Sequence, residues 1–277
     1  MRKKFRNSVM FKINFFFPVL LTAATFFACQ PSAPAPSATS PLTVTMAKVK
    51  KEKCVRDSVC ATLDLSYPVL TGGANAAITK SINDSIQAFV YLAAEADPAW
   101  PMPQAFDSAG MKLFALLEED IAIRGSDALP MSFTNELKSK VVWQTNHYLS
   151  LEMNTWSFSG GAHGMYGTLL ETFDLATGKP LDLHSIIKDT TALRPLLEKA
   201  FVEAKRENVP DITLQEMLMP EFKQLPMPVM YCLMPEGVRF MYNPYEVASY
   251  AVGQTDILLT WQQLGALAEQ GKWQPTK

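Results

Sequence analysis

The residues best placed to do chemistry lie in one stretch, Thr155–Gly178, which reads TWSFSGGAHGMYGTLLETFDLATG. Within it Gly160, Gly161, Ala162, His163 and Gly164 run together between aromatic residues. Adjacent glycines mark backbone that takes positive φ or a close approach. A histidine directly after them is presented rather than packed, and imidazole can act as a base, a proton donor or a ligand contact. The N–H groups of Gly160 and Gly161 could cradle an anion. A bland reading stands beside each of these. The pair also serves a turn that needs glycine, and His163 also serves as a tie between loop and sheet. Catalysis by His163 needs a nucleophile or carboxylate within hydrogen-bond reach, and none stands at a diagnostic spacing. Asp174 and Asp182 offer two carboxylates, but their turn context favours capping. His147 and His184 read as local hydrogen-bonding residues.

A second candidate is Asn243–Gly253, NPYEVASYAVG, preceded by Tyr242. Tyr242, Tyr245 and Tyr250 beside Pro244 and Glu246 make a rigid loop suited to stacking and hydrogen bonding with a partner. The same tyrosines also suit half-buried structural roles. The 14 methionines, Met217, Met219, Met227, Met230 and Met234 among them, read as gap-filling packing. No CxxC, HxH or HExxH spacing occurs, so neither a metal nor a cofactor is expected.

Met1–Ala28 reads as a secretory signal: a basic start with Arg2, Lys3, Lys4 and Arg6, then an apolar run, Ile13 to Phe27. Cys29 after Ala28 resembles a lipobox cysteine, although Phe26 and Phe27 depart from the strict pattern. Lipidation at Cys29 is therefore expected, with Gln30 behind it and the membrane as a partner. The address implied is a lipid anchor in the bacterial envelope, on the outer membrane facing the periplasm. Residues 1–28 hold five Lys/Arg and no acid, so the chain after cleavage has 25 − 5 = 20 basic and 27 acidic residues, a net of −7. That balance argues against nucleic acid and permits a basic partner. Cys54, Cys60 and Cys232 remain. Cys54–Cys60 can close a small disulfide loop in an oxidising compartment; Cys60–Cys232 competes with it.

The elements that must position these residues follow from periodicity. Residues 29–45 are rich in Pro, Ser and Ala and read as a tether. Val59–Tyr67 alternates as a strand that Pro68 ends. Ala74–Ala96 is an amphipathic helix with Ile78, Ile82, Ile86, Phe89 and Val90 on one face. Pro98, Pro101 and Pro103 exclude helix, and Phe106–Arg124 forms a second one, on Leu113, Phe114, Leu116, Leu117, Ile121 and Ile123, stopped by Gly125. Ser139–Ser159 reads as two strands or one bent strand, with a bulge or a twist just before Gly160 where the apolar register switches. Tyr166–Leu175 returns as a strand. Thr191–Arg206 is a helix, Leu214–Met219 a helical piece, Val229–Met234 and Gly237–Tyr242 a hairpin, Thr255–Thr260 the last strand and Trp261–Glu269 the last helix.

Two blocks carry a family resemblance. FSGGAHGMYGTLLETFDLATGKPLDLHSIIKD holds Gly160–His163, then Thr172–Leu175, Thr177–Lys179 and Leu181–Ile187; FMYNPYEVASYAVGQTDILLTWQQL holds Phe240, Pro244, Tyr245, Glu246, Tyr250 and Gly253. Together they resemble the RsiV-type DUF3298/DUF4163 extracytoplasmic domain family over about Cys54–Leu267. The resemblance implies an α+β fold, a two-part domain of antiparallel sheets with packed helices. Its DUF4163-like N-terminal half is 46–160 and its DUF3298-like C-terminal half is 161–277. Members of that family include the lysozyme-sensing ectodomain of an anti-sigma factor and an accessory domain of peptidoglycan deacetylases. This chain lacks the sigma-binding helix and the deacetylase catalytic motifs. The implied role is a non-catalytic envelope lipoprotein that binds a lysozyme-type hydrolase or peptidoglycan, with Gly160, Gly161, His163, Tyr242, Pro244, Tyr245, Glu246 and Tyr250 as candidate contacts. A structural envelope lipoprotein and a hydrolase using His163 are the alternatives.

Overall fold

A computed structural model describes residues 41–56, 58–125, 131–206 and 211–273. The signal segment, Cys29 and all but the last few tether residues lie outside these. The compact unit Thr39–Lys277 holds every apolar cluster of the described residues.

Six strands form the first sheet in sequence order: β1 (Thr43–Arg56), β2 (Val59–Thr71), β3 (Phe133–Gln144), β4 (Tyr148–Phe158), β5 (Met165–Asp174) and β6 (Lys179–Pro180). All neighbours are antiparallel except β2 and β3. That parallel pair needs a long crossover, and α1 (Ala76–Ala93) and α2 (Met102–Arg124) supply it. Asn75 caps α1, its side chain accepting from Ala77 N at 2.8 Å. Ile82, Ile86 and Val90 then pack onto Leu63, Leu65, Leu137, Leu149, Leu151 and Phe173. Each such side chain contributes roughly 1.5–3 kcal/mol by leaving water.

The other face of the first sheet meets a second sheet of β7 (Met230–Met234), β8 (Gly237–Tyr242) and β9 (Thr255–Thr260). Leu170 packs there against Cys232 and Met241. Strand β4 is consequently buried on both sides: Leu149, Leu151 and Met153 under the helices, Ser150 and Glu152 under the second sheet. Beyond the second sheet lies the largest cluster, in which Leu193, Leu197 and Phe201 of α3 (Thr190–Glu203) cover Val238, Phe240, Ile257 and Leu259. One-turn helices at Leu183–Ile186, Leu214–Met217 and Trp261–Leu264 complete the described chain, with a short helix at Gln270–Trp273.

Several expectations change. The break expected between residues 160 and 161 falls in the turn joining β4 to β5, so the first sheet spans it. The tether's last residues, from Thr43, are already strand. Pro68 does not end β2, which runs on to Thr71. Leu70 exchanges hydrogen bonds with the Asn83 amide, at 2.9 Å both ways, and so points its backbone away from β1. Pro68, two residues earlier, points the same way, beyond the last β3 partner Ser66, where no ladder bond is required. Helix α2 starts at Met102, not Phe106, because Pro103 in a first turn loses no hydrogen bond. On that helix Ile123 is 77% exposed rather than buried. The bulge lies at Val141/Trp143 in β3, while β4 pairs with β5 without interruption up to Ser157. The helix expected over Trp261–Glu269 is shorter, Trp261–Leu264 followed by a 3-10 turn, and it is not the last, since Gln270–Trp273 follows.

Candidate functional site

The turn from β4 to β5 explains its glycines. Gly160 and Gly161 have φ of 97° and 92°, a region that side chains avoid. Gly164 serves a different need: a Cβ there would stand 2.6 Å from the Trp156 indole. His163 leaves this turn exposed, and its Nδ1 donates to Gly164 O at 3.0 Å.

The tyrosine loop arrives at the same place. Tyr250 stacks on His163 with ring centroids 3.8 Å apart and planes at 19°, and its hydroxyl donates to Gly164 O at 2.9 Å. Tyr166 meets Tyr250 edge-on at 5.6 Å, Trp156 stacks on Tyr166 at 6.5 Å, and Tyr245 lies 5.8 Å from Tyr250. Trp156, Met165 and Tyr245 are 40, 42 and 49% exposed. The two candidate loops thus form one continuous aromatic surface at the end of the first sheet.

Asn243 fastens the loop there. Its side-chain amide accepts from Thr168 N at 2.7 Å and donates to Thr168 O at 3.1 Å, completing the free edge of β5 as a strand would. Gln254 donates to both Asn243 Oδ1 and Thr168 Oγ1, and Thr168 Oγ1 donates to Asn154 Oδ1 at 2.7 Å. Asn154 in turn donates to Glu152 at 2.8 Å. Burial alone would raise the Glu152 carboxyl, but hydrogen bonds from Asn154, Arg239 and Lys140 outweigh it and hold the group below its ordinary value. Arg239 bridges Glu152 to Asp256, which it meets at 2.9 and 2.7 Å.

The remaining loop candidates divide. Tyr242 is 1% exposed and donates to Pro226 O at 2.8 Å, so it belongs to the core and is no contact residue. Burial pushes its phenol far up. Pro244 is buried as well. Glu246 is half-buried and accepts from Asn243 N at 2.8 Å; burial raises its carboxyl. Tyr245 has φ 65°, a conformation bulky residues rarely take, which its N–H bond to Ala248 O at 2.9 Å helps to hold. Asp174 and Asp182 accept from Ala176 N and His184 N, as capping residues do. His147 sits in the β3–β4 turn rather than in a strand. Cys54 and Cys60 are register partners in the β1–β2 hairpin and form a disulfide, leaving Cys232 free and buried, its thiol pushed up to about 12 by burial. Among the described residues no group of three or more His, Cys, Asp or Glu is arranged to hold a metal ion.

Sequence reasoning missed Trp156, Met165, Tyr166 and the Asn154–Thr168–Asn243–Gln254 network. Trp156 and Tyr166 are register partners, so a hairpin centred on Gly161 places them together.

The layers and the site define a two-part α+β protein of antiparallel sheets with packed helices, its two signature loops meeting at one end. Family models match both parts: one described as deacetylase PdaC over residues 54–166, and one described as DUF3298, a protein of unknown function, over 185–262. The chain carries a DUF3298 domain with a PdaC-like region ahead of it, and these domains indicate an extracytoplasmic family. A crystal structure of a DUF3298 family member from Bacteroides fragilis NCTC 9343 is similar, with TM-score 0.64 and 19% identity over 83% of this chain and 94% of that one. A DUF3298 family protein from Pseudomonas aeruginosa PAO1 is similar at TM-score 0.53 and 16% identity, over 86% and 99%. A comparison with curated proteins finds no match.

Proposed function

We propose that this is a non-catalytic lipoprotein of the bacterial envelope, anchored through Cys29 and exported by the signal ahead of it, that binds the glycan of peptidoglycan through its aromatic end. The convergence of Trp156, His163, Met165, Tyr166, Tyr245 and Tyr250 on one exposed surface carries this reading. Exposed rings held rigid by one another lose little entropy when they stack on a ligand, and their rims can still hydrogen-bond. The state of His163 supports binding over turnover: its Nδ1 is engaged by a backbone carbonyl and its ring by Tyr250. A second reading, a lysozyme-type hydrolase as the partner, is favoured by the net charge of −7 that cleavage would leave, since 25 − 5 basic residues face 27 acidic ones.

The test is co-sedimentation of the protein with purified peptidoglycan, beside a pull-down on immobilised lysozyme, both at low salt. Binding to peptidoglycan that Trp156→Ala and Tyr250→Ala weaken at least tenfold supports the first reading. Binding to lysozyme alone replaces it with the second. Binding to neither overturns both.

A further inference from the structure

β9 is the outer strand of the second sheet. Trp261 N donates to Glu236 O, continuing the β8–β9 ladder. By alternation Leu259, Ile257 and Thr255 bond to β8, whereas Thr260, Leu258 and Asp256 turn their N–H and C=O groups outward. Both ends of that outer edge are covered: Thr260 N donates to Gln263 Oε1 at 2.8 Å, and Gln254 O accepts from Lys205 Nζ at 2.6 Å. Between them, the outward backbone groups of Asp256 and Leu258 have no partner among the described residues. They open on a groove of about 510 Å³ between β9 and α3, lined by Leu196, Ala200, Ala204 and Leu258 with Lys199 and Glu203. Leu258 is 42% exposed.

An uncovered edge above an apolar groove is a template for another strand. The chemistry fits a second copy of this chain. About a two-fold axis through Ile257, Asp256 of one copy faces Leu258 of the other as a hydrogen-bonded pair, and the reverse, so the edge is its own complement in register. The same axis sets the two α3 helices antiparallel. Ala200 and Ala204 then allow close approach, and Lys199, which has no ion pair among the described residues, comes to the side of the second copy's Glu203. We propose that the protein forms a two-fold dimer through β9 and α3, joining two three-stranded sheets into one continuous sheet.

Sedimentation of the compact unit Thr39–Lys277 from micromolar to sub-millimolar concentration tests this. A monomer–dimer equilibrium is expected. Lys199→Glu should weaken it about tenfold at low salt by turning two attractions into repulsions. Glu203→Lys added to it should restore the wild-type constant, and Leu258→Lys should abolish association. Circular dichroism establishes that each variant is folded. Should Leu258→Lys unfold, the charge exchange alone decides. A monomer at every concentration, a dimer indifferent to the charge exchange, or a monomer whose β9 edge instead takes up an extended peptide overturns the proposal.

Discussion

Tyr250 and His163 share a single acceptor. The tyrosine hydroxyl and the imidazole Nδ1 both donate to Gly164 O, at 2.9 and 3.0 Å, while the two rings lie face to face at 3.8 Å. That carbonyl thereby ties Gly164 to Tyr250, 86 residues away in sequence, and the relation is open to dissection. Tyr250→Phe keeps the stack and loses one bond, and should cost about 1 kcal/mol. His163→Ala loses both stack and bond and should cost about 1–2 kcal/mol. Urea titrations measure both. No loss in Tyr250→Ala would mean that the loops hold each other by other means.

Asn243→Ala should do more damage than either. It strips partners from Thr168 N and Thr168 O and from Gln254. Unpaired buried groups cost roughly 1–3 kcal/mol each, so a loss of about 2–4 kcal/mol is expected. Amide exchange at Thr168 should accelerate in step, whereas exchange at Leu63, deep in β2, should follow only the global loss.

The Glu152 carboxyl gives a pH dependence with a definite sign. Its folded value is depressed from the ordinary 4.5, so its contribution is fully present above that pH and is lost as pH falls through the depressed value. Glu152→Gln should therefore lower the urea midpoint at pH 7 and converge with the wild type as the pH falls through that depressed value. Arg239→Leu leaves Glu152 with Lys140 and Asn154 alone and should cost about 3 kcal/mol at pH 7. A constant gap between Glu152→Gln and the wild type down to acid would contradict the assignment.

The three described cysteines should behave as two populations. Cys232 is buried with its thiol pushed up to about 12, so it should ignore an aromatic disulfide reagent until denaturant is added, then titrate as one thiol. Replacing Cys54 and Cys60 by serine opens a loop with a sequence separation of 6 and should cost about 2 kcal/mol.

How far the sequence carried depends on what each signal encodes. The α1 stripe and the alternation of β2 report burial directly, and both elements formed, with Ile82, Ile86, Val90, Leu63 and Leu65 inside. β1 was illegible because its inward-facing positions include lysines. Lys51 pairs with Asp107 at 2.5 Å, and Lys53 holds its ammonium 3.8 Å over the Phe114 ring, so long polar side chains cover α2 where periodicity looks for apolar ones. The loops of the candidate site were legible as special by their Gly, Pro and Tyr content. Their meeting was not, because Tyr250 and His163 are brought together by the packing of the second sheet on the first, a relation that no local pattern encodes. Tyr242 misled for the converse reason: the loop Asn243–Gly253 follows it directly, but its place as the last residue of β8 turns it inward.

The chain enters the body at Leu42, beside the Gly72–Gly73 turn and the end of β3, and the aromatic surface lies at the opposite end of the sheet. β4, with 11 residues, separates the two by roughly 35 Å. A pull between an anchored N-terminus and a gripped ligand would therefore run along the strands. It would load the β1–β2 ladder in shear, all rungs together, instead of peeling it rung by rung. The Cys54–Cys60 bond stands at the end of that ladder away from the pull. It acts as a covalent stop, so β1 cannot slide out of the sheet while the disulfide is intact.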